Sequence, residues 1–254
     1  MVSCSASAGR SLSRWTRASG DLDAGCGGCR ETGAVHAPLA AGSTFRVLLV
    51  CTGNICRSAM AERLGRAYLE ERLGGGAGQL RLESAGTRAV VGSAMHADSA
   101  LVLQGYGARS GDFRARQLDS ALAGGADLVL TMTRAHRNDV IGYAPRALQR
   151  TFTLREAAAL LRSIPDDEVA GDDLPTRARA LVARMAAARG RRPGGESDDV
   201  RDPIGRPLEV HEEVGELVAA TLIPVLDRLI GGGSRGRAGG PSPARSHQAS
   251  GSAA

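Results

Sequence analysis

Residues Val47 to Ser58 read VLLVCTGNICRS: an apolar run ending on a cysteine, five mostly small or polar residues, an arginine and a serine. An apolar strand that closes on a Gly-containing turn and passes into a helix gathers backbone N–H groups and a helix N-terminus around one point. That arrangement suits a dianionic phosphate. Cys51 is expected at the floor of this cradle, with Thr52, Gly53, Asn54, Ile55, Cys56 and Ser58 around it. A thiol held against convergent N–H dipoles and a guanidinium loses its proton easily, and the thiolate is the nucleophilic form. Arg57 can fork two donors onto phosphoryl oxygens.

Spacing alone does not make the site, because Cys4 to Ser11 (CSASAGRS) repeats it. Only three residues precede Cys4, so no strand can deliver it, and SLSRWTRASG beyond Arg10 lacks an apolar stripe. That copy reads as coincidence. After Arg57 the chain runs SAMAERLGRAYLEERL, with Met60, Leu64, Ala67 and Tyr68 at helical spacing and Ser58 placed to cap the helix. Strand, turn and helix agree only around Cys51.

Working outward, the foldable part is bounded on both sides. Residues 1–44 are rich in Ser, Gly and Ala without sustained periodicity, and residues 231–254 are a low-complexity tail, so both are expected to be disordered. The domain then spans 45–230, roughly 185 residues, enough for one core. No run of eighteen apolar residues occurs and no secretory h-region opens the chain, which leads to the expectation of a cytoplasmic protein with no membrane partner. The net charge of +5 comes from 32 basic residues, all arginine and scattered among acids, with aromatics at 3%. This pattern speaks against a nucleic-acid partner.

The five cysteines lie within the first 56 residues and form no secreted disulfide framework. Cys26 and Cys29 make a CxxC without a second pair, and His96, His136, His211 and His247 are far apart in sequence. On these grounds no metal and no cofactor are assigned.

From Phe45 onward strands alternate with helices, which predicts an α/β domain with a largely parallel sheet. Strands are expected over Arg46–Val50, Leu80–Ser84, Ala126–Met132 and Thr151–Leu154. Helices are expected after the loop, over Asp98–Leu103, in a short piece through Leu122, after Thr133 as a cap, over REAAALL, within Asp172–Gly190, and from Leu208 with a kink at Pro224. Ligands in such sheets bind beyond the carboxyl ends of the strands, where Cys51 lies. Transfer of a phosphoryl group to a thiolate also needs a proton for the leaving oxygen. Asp202 stands out among the carboxylates because it sits in VRDPIGRP between a flexible stretch and the last helix, with Pro203 stiffening the turn behind it; the other reading of an Asp-Pro pair on its own is a plain turn signal.

VLLVCTGNICRSAMAERL resembles the phosphate-binding loop of the low-molecular-weight protein tyrosine phosphatases, bacterial type. LESAGTRAVVG, ARQL, ADLVLTM and RDPIGRP match later segments of that family in order. The resemblance implies a three-layer, flavodoxin-like sheet of four parallel strands in the order 2-1-3-4, flanked by helices. It also implies a cysteine-dependent phosphomonoesterase, a protein-tyrosine-phosphatase acting on phosphotyrosine-containing protein through a phosphocysteine intermediate. By the same resemblance Cys51 is the nucleophile, Arg57 binds the phosphoryl group and Asp202 serves as acid and then base. Asn54 holds the strained turn, Ser84 bonds Asn54, and Ser58 assists the thiolate. Cys56 corresponds to a second loop cysteine that traps the oxidised nucleophile in part of the family; the other reading is that it fills a small buried space.

The departures bear on substrate. Ile204 and Gly205 follow Asp202-Pro203 where the family usually has a tyrosine, and Ala89, Val90 and Val91 stand where many members carry an aromatic residue. A protein arginine phosphatase of the same fold is the nearest alternative; that group has a threonine at the position of Ile55, which favours tyrosine here. An arsenate reductase of this loop type needs cysteines beyond Cys56, and none occurs. A non-catalytic phosphate-binding or redox module is the alternative of another class.

Overall fold

The computed structural model describes residues 44–165, 169, 171–192 and 194–231. The expected disordered leader and tail therefore lie outside the described residues, apart from Thr44 and Gly231. So do the Cys4–Ser11 copy, Cys26, Cys29 and His247.

Four parallel strands, β1 (Phe45–Cys51), β2 (Leu80–Gly86), β3 (Leu128–Thr131) and β4 (Thr151–Thr153), stand in the order β2-β1-β3-β4. This is the predicted 2-1-3-4 sheet. The helices are α1 (Arg57–Leu73), α2 (Ala97–Gly105), α3 (Ser120–Gly125), α4 (Arg134–Tyr143), α5 (Leu154–Leu161), α6 (Leu174–Ala188) and α7 (Leu208–Ile230). Thr133 caps α4 as expected, accepting from the His136 amide. The Gly-rich turn after α1 is a 3-10 helix over Gly74–Gln79. Pro224 lies inside α7 without ending it.

β1 is buried from Val47 to Cys51 because helices cover both of its faces, the usual condition of a parallel sheet. The strand's alternation sorts its side chains. Val47, Leu49 and Cys51 enter the larger core with α1, α5, α6 and α7, while Leu48 and Val50 join the smaller core with Leu118, Ala123, Val129 and Val140. Cys51 thus leaves the sheet on the side of α1 and α7, at the carboxyl end of a central strand. Its register partner on β2 is Gly86.

Candidate active site

The loop Thr52–Cys56 turns through Asn54, a buried residue with φ +54°, the left-handed region that asparagine tolerates better than most L-residues. Its shape is enforced from outside by the segment that follows β2. Thr87, Arg88, Val90 and His96 donate their amides to the carbonyls of Cys51, Thr52, Gly53 and Ile55 at 2.9–3.0 Å. With these carbonyls drawn outward, the amides of a tight turn face inward. Among the described residues none of the N–H groups of Gly53 to Cys56 has a protein acceptor. Gly86 is required for this approach: a Cβ there would lie 2.3 Å from the Thr52 carbonyl oxygen.

Inside the loop the hydrogens can be assigned by elimination. A backbone N–H can only donate, so the Arg116 amide, 2.9 Å from Asn54 Oδ1, fixes the orientation of the Asn54 amide. Asn54 Nδ2 then donates to Ser58 Oγ and to Ser84 Oγ, both at 2.9 Å. Ser84 passes its own proton to Glu62 Oε2. Ser58, already accepting from Asn54, has its hydroxyl proton left for Cys51 Sγ at 2.9 Å. The network thus ends in a donor aimed at the sulfur. Ser58 is not the helix cap expected from its position; Cys56 holds the N-cap, without a side-chain bond. The serine is taken up by the sulfur and the asparagine instead.

Arg57 is 3% exposed and held by groups distant in sequence. Its Nη1 donates to the Val200 carbonyl at 3.1 Å, and its Nη2 reaches Asp202 Oδ2 and, at 3.4 Å, Thr52 Oγ1. Nε is buried with no partner among the described residues. The Asp202 segment is delivered by a tie just past the end of β3 and another at the start of α4: Val200 donates its amide to Met132 O at 2.7 Å, and Asp199 accepts from the Arg134 amide. Asp202 itself is part-exposed, with Oδ1 accepting from the Ile204 amide. Every residue expected at the site from the sequence is therefore in one cluster at the end of β1.

Sequence reasoning missed three members of that cluster. His136 bridges Thr52 Oγ1 (Nε2, 2.8 Å) and Thr133 Oγ1 (Nδ1, 2.9 Å), so the first turn of α4 buttresses the loop from below. Burial, and next the Arg57 guanidinium, push its pKa down to about 4, leaving the ring neutral. Glu62 is a buried carboxylate paired with Arg66 at 2.8 Å, and Arg116 clamps the β2 end through Ser84 O at 2.7 Å. Glu62 lies five residues beyond Arg57 and reads as an ordinary helix-surface acid, so nothing local marks it. Burial pushes the Cys56 thiol up to about 11.

An open-ended parallel sheet with a buried cysteine, inward amides, an arginine and an opposed carboxylate defines a thiol-based phosphatase fold of the α/β class. The family model described as low molecular weight phosphotyrosine protein phosphatase matches residues 46–166. The chain is 39% identical over 137 residues to a low molecular weight protein-tyrosine-phosphatase of Streptomyces coelicolor, covering 52% of this chain and 75% of that protein. It is 28% identical over 185 residues to a protein-arginine-phosphatase of Geobacillus stearothermophilus, covering 73% and 93% respectively. Among solved structures, a low molecular weight protein tyrosine phosphatase from T. tengcongensis aligns with a TM-score of 0.52 at 28% identity, over 73% of this chain and 99% of that one. The chain belongs to the low molecular weight protein-tyrosine-phosphatase family, and it is a phosphoric monoester hydrolase. No helix among the described residues is long and apolar enough to cross a membrane.

Proposed function

We propose that residues 45–230 form a cytoplasmic phosphatase domain that removes phosphate from phosphotyrosine in proteins, with Cys51, Arg57 and Asp202 as its catalytic residues. The observation that carries this reading is that one loop holds the Ser58 donor on Cys51 Sγ and, through Thr52 Oγ1, the Arg57 guanidinium, which is itself in contact with the Asp202 carboxyl. A phosphoryl group held by Arg57 and the loop lies beside Asp202. The Cys51 thiolate attacks phosphorus in line, the S–P bond forms, and the bond to the phenolic oxygen breaks as Asp202 gives that oxygen a proton. Water then attacks phosphorus while Asp202 takes its proton, and the S–P bond breaks to release phosphate and thiolate. The loop donors and Arg57 stabilise the equatorial oxygens in both steps. The nucleophile must stay reduced, which agrees with a cytoplasmic location.

Substrate preference is read from the walls. Ile55 Cγ1 and Val90 Cγ2 stand 3.5 and 3.7 Å from the position of a Cβ on Gly53, so the two aliphatic side chains flank the loop together. Val91, next to Val90, and Ile204, two residues beyond Asp202, are exposed. Such walls suit a flat, weakly polar aryl ring better than a phosphoguanidine, which brings several N–H donors that need acceptors. The similarity to an arginine phosphatase and the glycine at position 205 support phosphoarginine as the second reading. The test is metal-free turnover of phosphotyrosine and phosphoarginine peptides by wild type, Cys51→Ser and Asp202→Ala. Preference for phosphotyrosine, loss with Cys51→Ser and a sharp fall with Asp202→Ala are expected. Preference for phosphoarginine would replace the substrate but keep the mechanism, and turnover surviving Cys51→Ser would remove both.

A further inference from the structure

Behind the phosphate loop, three residues far apart in sequence meet. Cys56, His96 and His211 each bring a ligand atom within 4.8 Å of the others, from the N-cap of α1, the residue before α2 and the first turn of α7. Cys56 is 4% exposed and His211 is fully buried. The imidazoles stack at 4.8 Å between centroids with 16° between planes. His96 Nδ1 and His211 Nε2 are buried without a hydrogen-bond partner among the described residues. The Pro203 carbonyl faces His211, but no bond of normal geometry forms at Nε2. Two buried imidazole nitrogens left without partners cost free energy that packing alone does not explain.

We propose that Cys56, His96 and His211 form a binding site for a borderline-soft divalent cation, zinc foremost. One thiolate and two imidazoles are a donor set that zinc takes readily, with a fourth position left to water or a carboxylate. The surroundings supply what such a site requires. Ser99 Oγ, 2.9 Å from His211 Nδ1, fixes the ring of the most buried ligand. Asp98 Oδ2 lies 3.8 Å from His96 Nδ1 and 3.9 Å from His211 Nε2, bringing negative charge to both rings. His96 is part-exposed, giving the cation a way in. Tetrahedral zinc distances require the three donors to close by about 1 Å. On binding, the Cys56 S–H proton leaves to solvent, an S–Zn bond forms, and both imidazoles bind neutral. The cation then ties the phosphate loop to α2 and to α7, the helix that follows the Asp202–Pro203 turn.

The full-length chain carrying Cys4→Ser, Cys26→Ser, Cys29→Ser and Cys51→Ser, reduced and stripped with chelator, is titrated with Co2+ while thiolate-to-cobalt charge-transfer absorption is recorded. The background removes the other thiols that could compete and needs no catalytic activity. One equivalent of Co2+ with a thiolate band, displaced by Zn2+, is expected. The band should vanish when Cys56→Ser is added, and affinity should fall at least about ten-fold with His96→Ala, whose part-exposed side chain spares the core. His211→Gln should weaken binding likewise. Absence of saturable binding, a band that survives Cys56→Ser, or affinity unchanged by His96→Ala would each overturn the site.

Discussion

Asn54 sets the loop more than any other single residue. It combines left-handed backbone with three side-chain hydrogen bonds, and it orders the protons that reach Cys51. Asn54→Ala puts an alanine at positive φ and leaves Ser58, Ser84 and the Arg116 amide each short of one bond. A stability loss on the order of 2–4 kcal/mol in urea unfolding is expected, with turnover falling alongside. Ser58→Ala is the subtler change. It removes the donor at the sulfur but keeps the loop shape, so kcat should fall by about 10²-fold with KM little changed, as for loss of one preorganised donor. Equal losses in kcat and substrate binding would instead mean that the serine only holds the loop. The sequence marked Asn54 and Ser58 as loop members. The local cap signal misassigned Ser58, because the competing sulfur acceptor is delivered by the strand.

At the scale of elements, the site is built where strand ends meet segments that cross them. The close pass of Gly86 under Thr52 is a property of the β1–β2 pair and not of the loop alone. Gly86→Ala should push the Thr52 carbonyl aside and weaken binding of phosphate or vanadate well beyond any loss of stability, a comparison made by inhibitor titration and thermal unfolding on one preparation. β4 offers a contrasting case. Thr153 ends this strand and caps α5 in a reciprocal box with Glu156, and Glu156 is held in turn by Arg189 at 2.9 Å. Thr153→Ala should cost about 1–2 kcal/mol of stability while leaving kcat within two-fold, about the scatter between preparations. The strands and most helices were legible because their periodicity is local. The strand ends shifted by a residue or two because neighbouring strands, and not the sequence, decide where a ladder stops.

For the whole molecule, the buried His136 links the site to pH-dependent stability. Its pKa is about 4 in the fold against about 6.5 unfolded, so the unfolded chain binds more protons between those values. The contribution is therefore complete above pH 6.5 and lost as pH falls toward 4, by about 3 kcal/mol in all. Urea unfolding at pH 7.5 and pH 5 should show a larger drop for wild type than for His136→Asn, and identical drops would show that the histidine is not held neutral. The sequence by itself determined the strand–turn–helix loop at Cys51, the alternation of strand and helix and the four-stranded α/β class, since each rests on spacing within one strand, turn or helix. Only the tertiary structure decided that His136 supports Thr52 across 84 residues, that Asp202 meets Arg57 across 145, and that Cys56, His96 and His211 share one buried point. Those meetings depend on strand order and on how α4 and α7 pack, and linear spacing does not encode either.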